Sequence, residues 1–140
     1  MKFILAKNQT EIFSVIYIRK IVFINEQKVS VDEELDSLDI ESDHFLIEVD
    51  DNFIATARVY YEGNQATIGR VAVLKEYRNK GYAKFLMEKV IKFIKEKGIK
   101  KAHIGAQVQA VGFYQKLGFK ISGDIYLDAN IEHYPMELIL

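Results

Sequence analysis

The chain has 140 residues, 49% hydrophobic and 28% charged, with a formal net charge of −1, a composition that fits one soluble domain spanning residues 1–140 with a modest core. It contains no cysteine, which excludes disulfides, thiolate metal sites and a cysteine nucleophile and suits a reducing, cytoplasmic setting. The lack of a basic surplus argues against general nucleic-acid binding. No membrane segment is expected either: Arg19 and Lys20 interrupt the greasiest stretch, Ile12 to Ile24, and the opening apolar run stops at Lys7, too short for a signal peptide.

In chain order, Lys2 to Ala6 reads as a strand and Thr10 to about Ile24 as a helix, with Ile12, Val15, Ile16, Val22 and Phe23 at helical spacing. Val31 to Asp43 carries seven acids and no base. It reads as a loop or short helix, either a solvated face or an acidic rim that favours a cationic ligand. His44 to Val49 and Phe53 to Tyr61 form a strand pair around an Asp50-Asp51-Asn52 turn, and Gln65 to Val73 follows a Glu62-Gly63-Asn64 turn. Tyr82 to Lys97 places Ala83, Leu86, Met87, Val90, Ile91 and Ile94 on one helical face and stops at Gly98. Lys101 to Gln107 is a strand, Ala110 to Gly118 a short helix, and Phe119 to Gly123 and His133 to Leu140 close the sheet. No repeat or proline-rich linker divides the chain. The strand-helix-strand unit from Gln65 to Gln107 predicts a right-handed parallel crossover in an otherwise antiparallel sheet.

The start of the central helix, "KEYRNKGYAK", crowds Arg78, Lys80 and Lys84 around Gly81, where the helix dipole already disfavours positive charge. An anion resolves the conflict: unpaired amides at a helix start suit a phosphate, and glycine lets it approach the backbone. A solvated basic turn would look the same. A second motif, "FYQKLGF" at Phe113 to Phe119, changes the balance.

Together these motifs resemble the GNAT superfamily of N-acetyltransferases. The family's Arg/Gln-x-x-Gly-x-Gly/Ala loop stands as Arg78, Asn79, Lys80, Gly81, Tyr82 and Ala83 after a strand ending in Val73, and its "FYxKxGF" element stands at Phe113 to Phe119. The resemblance covers the chain in element order and is most specific from Ile68 to Phe119. It implies an α/β acyl-CoA N-acyltransferase fold: a mixed, mostly antiparallel sheet flanked by helices, with the strands Gln65 to Val73 and Lys101 to Gln107 splayed apart. It also implies acetyl-CoA as co-substrate. The Arg78 to Ala83 amides would hold the pyrophosphate, and Val71 and Val73 would pair by backbone with the pantetheine arm in the manner of strand addition. Gln107, where many members have asparagine, and Phe113 would complete the cofactor contacts. The Val73 N–H would meet the oxyanion, and Tyr114 would supply a proton or hydrogen bond to the departing thiolate; the alternative for Tyr114 is a core aromatic.

The implied reaction is direct attack of a primary amine, on a small molecule or peptide, in a ternary complex. The base is not evident, because "ATIGRVAV" holds no carboxylate. Arg70 reads either as an acceptor-orienting group or as a salt-bridge partner of the acidic segment. Glu26 could bind the amine or act as base, or be a solvated helix end. His103 or His133 could relay a proton through water, His133 from the acceptor side. The histidine spacing matches no zinc pattern, so no metal is expected. Exposed strand edges leave a homodimer open. Two other readings stand beside this one: an acyl-CoA-binding regulatory module without turnover, favoured by the carboxylate-free strand, and an unrelated nucleotide-binding domain, disfavoured by the missing G-x-G-x-x-G.

Overall fold

A hydrophobic strand becomes stable by burying its faces, and here one sheet carries two helical layers. The computed structural model describes residues 1–140. Its strands are β1 (Lys2–Leu5), β2 (Asp43–Val49), β3 (Asn52–Glu62), β4 (Gln65–Val73), β5 (Lys101–Gln107), β6 (Lys120–Ile121), β7 (Tyr126–Asp128) and β8 (Ile131–Ile139). The sheet order is β1-β2-β3-β4-β5-β8-β6, and β7 also pairs with β8. The α-helices are α1 (Gln9–Arg19), α2 (Val31–Glu34), α3 (Tyr82–Glu96) and α4 (Val111–Lys116). The only parallel pair is β4–β5.

One face of the sheet packs on α3, whose Leu86, Met87, Val90 and Ile94 are buried against Phe45, Ile47, Val59, Ile68, Ala102 and Ile104. Each such side chain contributes about 1.5–3 kcal/mol by leaving water. The other face meets α1, which sets Val15 and Ile18, with Val22 just beyond, against Leu46 and Ala72. Asn8 and Glu11 close a reciprocal capping box at the start of α1. The β2–β3 turn has positive φ at Asp50 and Asp51, the twist a two-residue hairpin needs.

Three elements differ from the sequence expectation. The first helix does not run regularly to Ile24: α1 ends at Arg19 and passes into wider, π-type turns over Lys20–Glu26, where the Gln27 N–H donates to the Val22 carbonyl. Apolar spacing does not reveal this widening, because both helix types keep a buried stripe. The β7–β8 hairpin was not anticipated; it turns at Ala129 and Asn130, both at positive φ. Finally, β8 starts at Ile131, so His133 lies inside the strand and is not its first residue.

The acidic segment is not a solvated face. It wraps around three arginines from three elements. Arg19 of α1 is 1% exposed and pairs with Glu34, 2% exposed, and with Asp39. Arg58 of β3 binds Asp36 and Asp39 at 2.7 and 2.9 Å. Arg70 of β4 donates to the Glu34 carbonyl and to Asp36 at 2.9 and 3.2 Å. Burial opposes the Asp39 charge, but hydrogen bonds from Arg19 and Arg58 outweigh it and hold its pKa at about 2. A depressed carboxylate pKa adds stability above the unfolded value and loses it as pH falls through the folded value. Melting temperature should therefore drop as pH falls from about 4 to 2, reflecting about 1–2 kcal/mol after solvent screening. Asp39→Asn should melt lower at pH 7 and show a flatter limb in that window; an unchanged limb would assign the acid sensitivity elsewhere.

Candidate active site

The β4–β5 ladder runs from Gln65 opposite Lys101 to Ile68 opposite Ile104 and stops there. Beyond it, Arg70 and Val71 of β4 stand opposite the single residue Ala57 of β3, a bulge in which Arg70 takes a left-handed backbone at φ 52. A non-glycine residue there costs about 1–2 kcal/mol, which the guanidinium hydrogen bonds of Arg70 help offset. The bulge turns β4 away from β5 and opens a cleft of about 900 Å³ between them. Since the Leu74 N–H donates to the Ile54 carbonyl on the β3 side, strand alternation turns the Val73 amide toward the open side, and Val71, in the bulge, lines the cleft.

The N-terminus of α3 forms one end of the cleft. Gly81 precedes the helix at φ 86, Asn79 has φ 60, and no side chain caps the helix. The Phe85 N–H closes the first turn on the Gly81 carbonyl, while the amides from Asn79 through Lys84 have no acceptor within the chain. They form a concave run of donors at the positive end of a helix dipole, with Lys80 and Lys84 nearby, and can bind an anion. A β-carbon on Gly81 would meet no protein atom within 4 Å. Arg78 is already engaged: its Nε donates to the Val73 carbonyl at 2.8 Å and its two terminal nitrogens pair with Glu26 at 2.9 Å each. Glu26 is thus not a bare helix end: it is paired with Arg78.

Tyr114, on α4, lines the cleft with Phe113. Its ring packs edge-on against Phe113 and Phe119, with centroids 5.0 and 5.9 Å apart, and its hydroxyl has no hydrogen-bond partner in the chain. Burial pushes its pKa well above the ordinary phenol value, so Tyr114 keeps its proton at neutral pH. Gln107 also lines the cleft, but its side-chain amide donates to Gln27 and its oxygen accepts from Gln109.

Across the cleft, on the α1 face, the residues that meet are Arg70, Thr67, Gly69, Gly105, Tyr126 and His133. Arg70 is the salt-bridge partner of the acidic segment, as one sequence reading expected, and it also lines the cleft; burial and neighbouring Arg58 lower its pKa. His103 hydrogen-bonds Gln65 beside the paired part of β4 and β5, and His44 is buried on the far side of the acidic segment against the Asp39 carbonyl. Tyr126 was missed by the sequence reading. Its hydroxyl lies over Gly105, where any β-carbon would collide with it, and its ring stacks on His133. The alternation in "DIYLDANIEHY" around Asp128-Ala129-Asn130 was the available hairpin signal. No group of three or more His, Asp or Glu side chains is placed to hold a metal ion, and no helix is long and apolar enough to cross a membrane.

An open parallel pair, a bulged strand and an uncapped central helix start define a class of acyl-transfer folds, and the comparisons agree. The chain belongs to the GNAT acetyltransferase family: the "Acetyltransferase (GNAT) domain" profile matches residues 21–140. It is similar to YjcF of Bacillus subtilis, described as an uncharacterized N-acetyltransferase, with 33% identity covering 97% of this chain and 98% of that protein. Its fold matches an acyl-CoA N-acyltransferase from Pseudomonas aeruginosa at TM-score 0.89, with 24% identity over 99% of both chains. It also matches a GNAT family acetyltransferase from Elizabethkingia anophelis, solved with acetyl-CoA bound, at TM-score 0.77, with 18% identity over 99% and 97% of the two chains.

Proposed function

We propose that the protein transfers an acetyl group from acetyl-CoA to a primary amine by direct attack in a ternary complex. The observation that carries this is the convergence, on one cleft, of acceptorless amides from Asn79 to Lys84, the outward-facing amide of Val73, and the protonated hydroxyl of Tyr114. The α3 amides bind the pyrophosphate, with Lys80 and Lys84 adding charge and Arg78 held alongside by Glu26. Val71 and Val73 engage the pantetheine arm as a strand edge would. The Val73 N–H donates to the carbonyl oxygen as it gains negative charge, an interaction worth about 3 kcal/mol when the donor is preorganised. Tyr114 donates to the sulfur as the C–S bond breaks. Gln107, tied to Gln27 and Gln109, fixes the wall beside the arm more than it contacts the arm itself.

The carboxylate-free β4 supports the second reading, a module that binds acyl-CoA without turnover. A thiol-release assay separates the two, run with acetyl-CoA over polyamines, amino acids, aminosugars, peptides and arylamines. Release dependent on one amine class is the expected outcome. Tight acetyl-CoA binding with no release on any amine would leave the binding module, and stabilisation by a nucleotide but not by CoA would overturn both.

A further inference from the structure

Resting on that acetyltransferase reading, we propose that His133 is the general base, taking the amine proton at Nε2. The tautomer follows from geometry. Nδ1 lies 2.7 Å from the Ile131 carbonyl oxygen; a carbonyl only accepts, so Nδ1 carries the hydrogen and the neutral ring keeps its lone pair on Nε2. The ring cannot swing freely, because it is 9% exposed and stacked on Tyr126 at 5.6 Å and 23°.

The ring also lines the cleft. His133 pairs with Gln107 across β5 and β8, and its Cδ2, the carbon next to Nε2, lies 4.0 Å from where a Gly105 β-carbon would sit. Gly105 is the first residue of β5 beyond the last rung shared with β4, so this edge of the ring faces the fork of the cleft. Nε2 has no hydrogen-bond partner in the chain, and it is not sealed off: the one buried side-chain polar atom lacking a partner is Nδ1 of His44.

Of the other candidates, Asp128 and Glu33 line the cleft without a salt-bridge partner, and the rest are engaged. Glu26 is bound to Arg78 and Glu34 to Arg19, while His103 is bonded to Gln65. The charged groups that line the cleft with His133 are Asp128 of β7, Glu33 and Glu34 of α2, Arg58 of β3, Arg70 of β4, and Arg78 and Lys84 about the start of α3; Tyr126 of β7 stacks on the ring, and its β5 neighbour Gln107 is neutral. Arg58 and Arg70 have carboxylate partners in the acidic segment, and Arg78 pairs with Glu26.

In the step itself the amine nitrogen forms a bond to the thioester carbon and its N–H proton passes to Nε2. The tetrahedral species then collapses with cleavage of the C–S bond, and the thiolate takes a proton from Tyr114. His133 returns its proton to solvent and Tyr114 regains one, so one proton moves in net from nitrogen to sulfur.

The test compares wild type, His133→Gln and His133→Asn. The asparagine amide can reach the Ile131 carbonyl as Nδ1 does, which preserves the structural bond without supplying a base. Calorimetry with acetyl-CoA should give the same Kd for all three. With an amine that the wild type acetylates, both variants should lose kcat about 100-fold, and the acidic limb of the kcat/KM profile against pH should disappear. Nitrogen-15 NMR of the neutral wild-type ring should show the hydrogen on Nδ1. An intact acidic limb with kcat within twofold in His133→Asn, or the opposite tautomer, would overturn the assignment alone. Failure of the wild type to bind acetyl-CoA, or to acetylate any amine, would overturn the acetyltransferase reading and this one with it.

Discussion

Tyr114→Phe should lower kcat about 100-fold while the Kd for acetyl-CoA stays within twofold. The rate change corresponds to about 2.7 kcal/mol of transition-state stabilisation. The substitution removes one oxygen and nothing else. The ring that packs between Phe113 and Phe119 remains, so folding should be unaffected, and the lost hydroxyl made no hydrogen bond within the protein. What disappears is a proton held ready in a buried site, where a departing thiolate has few other sources. Steady-state kinetics with calorimetry distinguish the outcomes: a fall in kcat with unchanged affinity places the hydroxyl at the leaving group, whereas full turnover would remove Tyr114 from the chemistry.

Gly81→Val should weaken acetyl-CoA binding by at least about 100-fold, equivalent to about 2.7 kcal/mol. Two effects must be kept apart. The left-handed φ of 86 makes any branched side chain costly to the fold, by about 1–2 kcal/mol. The β-carbon itself would meet no protein atom within 4 Å, so it projects into the space beside the α3 amides where a diphosphate would lie. Gly98→Val supplies the control, because Gly98 has φ 84 and equally open surroundings but lies at the opposite end of α3. Both variants should melt at similarly lowered temperatures, while only Gly81→Val should lose affinity. Unchanged affinity in a folded Gly81→Val protein would put the phosphates elsewhere.

These expectations rest on parts of the chain that local sequence describes well. The boundaries of β4 and β5 coincide with the expected strands, and α3 with the expected helix to within one residue, because turn residues punctuate them and one apolar stripe runs through α3. The splay between β4 and β5 followed from the family resemblance, and the bulge at Arg70 is its physical cause. Long-range pairing was harder to read. Arg19 and Arg58 find carboxylates 15 to 22 residues away, and no spacing rule announces such partners. Glu26 and Gln107 carry groups suited to a ligand, yet the π-type turns bring Glu26 to Arg78 and Gln27 to Gln107. The β7–β8 hairpin escaped because alanine at a left-handed position is not a turn signal, and with it went the stacking of Tyr126 on His133.

The knot of arginines and carboxylates under α1 has a consequence for how acceptor preference could be redrawn. Removing Arg19 or Glu34, 1% and 2% exposed, strands the other in a poorly hydrated place, and breaking a buried pair in this way costs about 3–5 kcal/mol. That side of the cleft therefore behaves as a keystone, resistant to piecemeal change. The opposite side is a hairpin whose Leu127, Asp128 and Asn130 are exposed, and its tip could be exchanged residue by residue while the keystone keeps the chamber upright.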